Sequence, residues 1–404
     1  MIIQRGFRVR IYPSEEQAIL INKTLGCCRF IYNKMLAERK EVYENLKDNK
    51  EELYKYKYKT EKEYKEKFEW LKEVDSTALQ QSRRNLKTAY NNFFRTLKSN
   101  KHVGFPKFKK KRNEEAYKTV MNLGCNFENR VLILPKLKEV KFRHRKGEKS
   151  WYHTSRLISI VVRKTPTGKY FASCLFEGEQ DYKGISKEIK KVKGLDCSMQ
   201  NFYVDEQGNS PKFNRNYRQL EKKLAKLERH LSRKSRGGYN YEKQRIKVAK
   251  IHERITNKRK DFIDQLSWKL VQENDCIVVE DLNLKGISQG FNLGKSVHDL
   301  GYFTFVTKLI YKAKWNDKIV LQADTYFASS KTCNICNSKK EDLKLSDKIW
   351  TCPTCGSIHH RDINAALNLQ KIGINLGKDV PLMPMEVDQV TVTNEIGNSL
   401  FFRM

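Results

Sequence analysis

No apolar run in this 404-residue sequence approaches membrane-spanning length, and the opening MIIQRGFRVRIYPSEEQ sets Arg5, Arg8 and Arg10 inside what a secretory leader would keep apolar. No membrane partner is expected, and a cytoplasmic location is. Acid is scarce: 47 Asp and Glu face 80 Lys and Arg, a formal net charge of +33. A compact chain holds such charge against its own repulsion unless an anionic partner neutralises it. Arg and aromatic residues are interleaved with the lysines, as phosphate contact and base stacking require, which points to nucleic acid. A disulfide framework is also missing. Cys27, Cys28, Cys125, Cys174, Cys197 and Cys276 are scattered among apolar neighbours, and only the remaining four cysteines form Cys-x-x-Cys pairs. That is the pattern of a reducing compartment with one metal site. No internal repeat is evident, nor any helix-turn-helix or finger module that could read a long DNA site.

The length is that of roughly two to four compact units. GFRVRIYP alternates like a strand, and Pro13-Ser14-Glu15-Glu16 then starts a helical block that runs to about Leu97 and includes TALQQSRRNLKTAYNNFFRTLK. In KHVGFPKFKKKR, Gly104 and Pro106 break the helix, and Lys107, Lys109, Lys110, Lys111 and Arg112 crowd around Phe105 and Phe108. The segment reads either as a solvated loop or as a clamp on an RNA or DNA backbone; the basic context favours the clamp. From Tyr117 to Phe176 the runs VLILP, EVKF, RLISIVVRK and KYFASCLFEG read as an antiparallel sheet. This sheet is expected to pair with the N-terminal strand, making the helical block an insertion.

After the linker DYKGISKEIKK the pattern changes. VKGLD leads into CSMQNFYV and the turn Asp205-Glu206-Gln207-Gly208, an antiparallel start. Leu220, Leu224, Leu227 and Leu231, the break at Gly237-Gly238, and Val248, Ile251, Ile255, Phe262 and Leu266 predict a helical hairpin with basic outer faces. CIVVE, a helix from Phe303 to Lys314 and KIVLQAD complete an α/β alternation, and a poorly ordered tail is expected after Gly373.

Cys333-x-x-Cys336 and Cys352-x-x-Cys355 have the spacing of a ribbon whose two knuckles give four thiolates to one structural zinc. Asn337 and Gly356, one after each pair, suit the positive φ of a knuckle, and DLKLSDKIWTC reads as the ribbon's hairpin. Three acids stand at telling places: Asp196 in the first strand of the new pattern, Glu280 ending CIVVE, and Asp362 opening the helix DINAALNLQKIG. Singly, each has an ordinary explanation as a turn residue, a strand end or a helix N-cap. In an RNase H-like fold, however, the first and fourth strands are neighbours and the last helix packs across them, so these acids converge. Clustered carboxylates need a cation, and hard oxygens favour Mg2+ or Mn2+; two such ions about 4 Å apart suit phosphodiester hydrolysis. Asp205, Asp281 and Asp324 are accounted for by turns and strand ends.

At RGFRVRIYPSEEQ, LGCCRFIYNKMLAERK, TALQQSRRNLKTAYNNFFR, GFPKFKKK, GLDCSMQNF, VVEDLNLKG, the ribbon and HHRDINAALNL, in this order over residues 1 to about 373, the chain resembles the TnpB family, relatives of the type V CRISPR effector nucleases. The resemblance implies a multidomain α/β protein. Its RNase H-like (RuvC-like) nuclease domain would span 190–330 and 358–374, with a basic hairpin at 215–270 and a zinc ribbon inserted at 331–357. A wedge-like β-barrel would form from 1–13 and 103–182, with an inserted helical recognition lobe at 14–102, and 375–404 would be a flexible tail. Implied too are Asp196, Glu280 and Asp362 as catalytic Mg2+ or Mn2+ ligands, and Cys333, Cys336, Cys352 and Cys355 as Zn2+ ligands. Gln80 and Gln81 match the region that reads a short motif flanking the target. A guide RNA from the transposon end and target double-stranded DNA would be the partners of a monomeric protein. Two departures, Ser198 for the family's usual Gly and His360 for its common Asp, remove no ligand and are compatible with a slower enzyme. The rival readings are an RNA-guided repressor that does not cut, an RNase H-like transposase, and a basic zinc-ribbon factor without catalysis. The last leaves the strand-end acids unexplained.

Overall fold

The structure, a computed structural model, describes residues 2–98, 104–111, 115–143, 150–179, 189–212, 216–282, 300–324, 326–344 and 346–379. The chain divides into two compact units, Met1–Asp181 and Tyr182–Thr391, with residues 392–404 outside the described set.

In the first unit β1 (Ile2–Tyr12) turns Phe7, Val9 and Ile11 inward and Arg8 and Arg10 outward, the two-residue period of a strand with one covered face. Helix α1 (Glu15–Leu46) starts at a capping box in which Ser14 Oγ accepts the Gln17 N–H at 3.2 Å and Gln17 Oε1 accepts the Ser14 N–H at 3.0 Å. Helices α2 (Lys50–Lys55), α3 (Glu61–Lys67) and α4 (Ser76–Lys98) follow. The chain then returns to strands: β2 (Glu115–Thr119), β3 (Gly124–Asn126), β4 (Val131–Leu134), β5 (Lys138–Arg143), the short α5 (Ser150–Thr154), β6 (Arg156–Lys164) and β7 (Tyr170–Glu179). The sheet order is β2-β6-β7-β1-β5-β4-β3. β1 lies antiparallel between β7, from Ile2 opposite Glu179 to Ile11 opposite Tyr170, and β5, with Arg10 opposite Arg143. Four helices are thus inserted between strands of one sheet, and one core joins Phe7 and Phe176 of the sheet to Ile31 and Leu79 of the helices. Among the described residues the ladder ends at β2 and β3, so strand pairing does not close the expected barrel. The end strands span only five and three residues.

The second unit holds β8 (Val192–Ser198), β9 (Phe202–Asp205), the hairpin α6 (Asn216–Ser232) and α7 (Tyr239–Glu273), β10 (Cys276–Glu280), α8 (Tyr302–Trp315) and β11 (Ile319–Ala323). After them come the ribbon strands β12 (Ile349–Thr351) and β13 (Ile358–His360), then α9 (Arg361–Asp379). The main sheet has the order β11-β10-β8-β9, with β10 parallel to both neighbours and β9 antiparallel to β8. Both faces of β10 are covered, as its continuous apolar run requires. Ile277 and Val279 pack with Leu270 of α7 and Phe305 of α8, while Cys276 and Val278 pack with Leu369 of α9. Leu224 of α6 packs on Val248, Ile251 and Ile255 of α7, whereas Phe262 and Leu266, expected in that hairpin seam, pack with the sheet's core cluster. α7 therefore pairs with α6 along its first half and covers the sheet with its second.

Two glycines let α9 lie close on the strands. A Cβ at Gly194 would sit 2.0 Å from the Ala366 carbonyl oxygen, and one at Gly373 would sit 2.6 Å from the Val192 side chain. Gly373 marks this close approach and not a helix stop, so α9 continues to Asp379 where a tail was expected; residues 380–404 lie outside the described set. Among the described residues no helix is long and apolar enough to cross a membrane.

Candidate active site and thiolate centre

Asp196 sits in β8, and the parallel register that puts Val279 opposite Leu195 brings Glu280 of β10 alongside it. α9, crossing at Gly194, contributes Asp362 from its first turn. Asp196 and Asp362 are only 7% and 9% exposed, and Glu280 is half-buried. Burial first, then repulsion from Glu280 and Asp362, pushes the Asp196 carboxyl well above the usual range. Burial also raises Glu280, against a 2.6 Å hydrogen bond donated by Ser329 Oγ and another from the Cys197 N–H. The cations acting on Asp196 are Arg361 and Lys348. Both hold Asp362: Arg361 Nε is 3.1 Å from Oδ1, and Lys348 Nζ is 3.3 Å from Oδ2. The structure thus brings the three acids into one electrostatic neighbourhood. Asp205 serves its turn, accepting the N–H groups of Gln207 at 3.0 Å and Asn209 at 2.7 Å. Burial works against its charge, but Lys193 and these donors outweigh it and hold the carboxyl below the usual range.

Cys333, Cys336, Cys352 and Cys355 have sulfur atoms all within 4.8 Å of one another, the one such group of three or more metal-ligating side chains among the described residues. The Cys333–Cys355 and Cys336–Cys352 sulfurs are 3.7 and 3.6 Å apart. Tetrahedral zinc with Zn–S bonds of about 2.3 Å requires about 3.8 Å, so the donor set fits the metal. The knuckles repeat one another. Cys333 N–H donates to the Ser338 carbonyl and Cys352 N–H to the Ser357 carbonyl, both at 2.8 Å; Asn337 and Gly356 close the turns with φ of 62° and 70°. Among the described residues the antiparallel pairing runs across the knuckles, β12 with β13 and Thr332 with Lys339, and not within DLKLSDKIWTC as expected. The positive-φ turn after each Cys-x-x-Cys reverses the chain there. One residue escaped the sequence reading: His359 is buried on Trp350, with Nε2 3.1 Å from Cys333 Sγ and 2.7 Å from Ser357 Oγ. No sequence signal marks it, because the burial that separates it from its neighbour His360 belongs to the folded β13.

In the first unit Gln80 is half-buried, whereas Gln81 is 8% exposed, so Gln80 is the more accessible of the pair. Lys107, Lys110 and Lys111 are exposed, and Arg112 lies outside the described residues. Lys109, also exposed, has further contacts within the protein. Its backbone pairs both ways with the Asn33 side chain, at 2.8 and 2.9 Å, and its ammonium lies 4.1 Å from the centre of the Tyr32 ring, where burial lowers its pKa. Its backbone thus anchors the loop, while its side chain keeps an exposed surface.

A mixed sheet bringing three acids together beside a four-thiolate ribbon is an arrangement suited to metal-assisted chemistry on nucleic acid. Family models match along the chain: the OrfB_IS605 "Helix-turn-helix domain" at residues 1–48, the OrfB_IS605 "Probable transposase" at 179–289 and the "Cas12f1-like, TNB domain" at 302–369. Residues 1–48 here form one strand and one long helix, so no helix-turn-helix is built from them. A Streptomyces pristinaespiralis protein provisionally described as an RNA-guided DNA endonuclease is 30% identical over 92% of this chain and 90% of its own length. The similarly described InsQ of Escherichia coli K12 is 27% identical over 96% and 99%. In fold the chain is similar to the protein of a Cas12f1–sgRNA–target DNA complex, with a TM-score of 0.54 at 13% identity, covering 91% of this chain and 99% of that one. The chain belongs to the TnpB (OrfB) family.

Proposed function

We propose that the protein is an RNA-guided DNA endonuclease of a transposable element, cutting beside a short flanking motif. The observation that carries the reading is the meeting of Asp196, Glu280 and Asp362, drawn from three distant stretches of sequence, toward the carboxyl ends of the two central strands of a sheet. Three carboxylates offer hard oxygens and unbalanced negative charge, the donor set that Mg2+ or Mn2+ takes. Bound there, a pair of ions supplies activation of water and stabilisation of the leaving 3′ oxygen. The chain's own part is to hold the carboxylates: Ser329 and the Cys197 N–H orient Glu280, and Lys348 and Arg361 orient Asp362.

The second unit is then the RuvC-like nuclease domain, 190–330 and 358–374, with the zinc ribbon at 331–357. In the first unit, 1–13 and 103–182 form the wedge and 14–102 the recognition lobe. Lys107, Lys110 and Lys111, with the basic hairpin of α6 and α7, contact RNA and heteroduplex phosphates, and Gln80 contributes to reading the flanking motif. A charge of +33 gives affinity but carries no sequence information, so specificity comes from base pairing with the guide. The protein acts as a monomer with one RNA. The test is to strip the copurified RNA and add transcripts with altered guide segments: the cut site should move with the guide. Cutting of one target whatever the guide, or by RNA-free protein, would overturn the reading in favour of a transposase. Guide-directed binding without cutting would favour a repressor.

A further inference from the structure

The segment between β11 and the first knuckle joins groups that the chemistry above treats separately. Ser329, 3% exposed, donates its hydroxyl to Glu280 at 2.6 Å, while its carbonyl accepts Asn368 Nδ2 at 2.8 Å and Asn364 Nδ2 at 3.4 Å. The Thr332 carbonyl accepts both Asn side chains at 2.7 Å. Asn364 Oδ1 takes the N–H of Asn334, the residue after Cys333, at 3.0 Å. Asn364 and Asn368 are 1% and 4% exposed and four residues apart on α9, so one face of the helix that carries Asp362 grips the loop from Ser329 to Asn334. Such a buried network favours one arrangement, because displacing Asn364 or Asn368 strands a donor or acceptor out of water.

We propose that Ser329, Asn364 and Asn368 are positioning residues that lock the first thiolate knuckle to the catalytic helix and set Glu280 relative to Asp362, so that an intact ribbon is a condition for divalent-metal affinity at the acids. The proposal rests on the reading of the three acids as metal ligands. A latch serving only to dock the ribbon would have no need of the Ser329 hydroxyl on Glu280; that bond ties the latch to the acids.

The test uses the guide RNA–protein complex with Ser329→Ala and Asn368→Ala, and Asp196→Ala as control. Measured are Mn2+ binding by electron paramagnetic resonance, the Mg2+ midpoint of cleavage, zinc content and the thermal midpoint. Outer-shell partners of metal ligands typically contribute ~10–100-fold in metal affinity. A loss of that order is expected in Mn2+ affinity and Mg2+ midpoint, with one zinc retained per chain and much of the cleavage rate of Ser329→Ala restored at saturating Mg2+. A merely structural role would lower the thermal midpoint or zinc content and leave the metal midpoints in place. Unchanged midpoints in both variants, beside an inactive Asp196→Ala, overturn the proposal and leave the acid assignment standing. Cutting by Asp196→Ala brings down the assignment and the proposal together. Should Asn368→Ala fail to fold, Ser329→Ala decides alone, since it removes one oxygen and keeps every carbonyl contact.

Discussion

The acids and the thiolates of the second unit both gather negative groups at one point, and they do so by opposite means. Each Cys-x-x-Cys brings two ligands together within one turn, so only two pieces of chain must meet, and the sulfurs already stand at zinc–thiolate spacing. The acids come from β8, β10 and α9, and nothing local brings them together. Their carboxylates do not form a group within 4.8 Å, and like charges at close range repel. A closed set of soft ligands supports folding; an open set of hard ligands supports turnover and depends on everything packed around it.

The largest effect should come from the acids. Asp196→Ala, Glu280→Ala or Asp362→Ala should each reduce cleavage by ~10³-fold or more while DNA binding persists, because losing a metal ligand removes several kcal/mol of transition-state stabilisation at about 1.4 kcal/mol per factor of ten. Cleavage near the wild-type rate by any one of them, measured beside a binding assay, breaks the comparison on its open side. On the closed side, Cys352→Ala should take zinc from one per chain toward none and destabilise the ribbon, with a smaller loss of cutting than the acid variants show. Elemental analysis that finds no zinc in wild-type protein purified without chelator would refute that half. The smallest effect concerns the approach of α9. Gly194→Ala forces a methyl against the Ala366 carbonyl and should cost about 1–3 kcal/mol. Denaturant unfolding indistinguishable from wild type would show that the strand and helix are not held at that distance.

The clustering of the four cysteines was legible because spacing alone specifies it, and the neighbourhood of the three acids because strand ends and a helix start are marked in the local pattern around VKGLD, CIVVE and DINAALNL. What local pattern cannot hold is who faces whom across elements. Gly194 and Gly373 matter through α9 and the strands beneath them, and Ser329 through Glu280, partners far away in sequence. His359 and Gln81 are polar residues that fold inward, and nothing in their neighbourhoods distinguishes them from polar residues that face water. Lys109 looks like its basic neighbours until Tyr32 and Asn33 are placed beside it.

The central position of β1 also has a consequence for synthesis. This strand is made well before the strands it pairs with, since the partner of Ile2 is Glu179 and that of Arg10 is Arg143. At about 5–20 residues per second, β1 waits on the order of ten seconds or more for its neighbours. Through that interval Phe7, Val9 and Ile11 have only the newly made α1–α4 helices to rest against, so the inserted helices double as a temporary shelter for a strand that would otherwise offer two unpaired edges to other nascent chains.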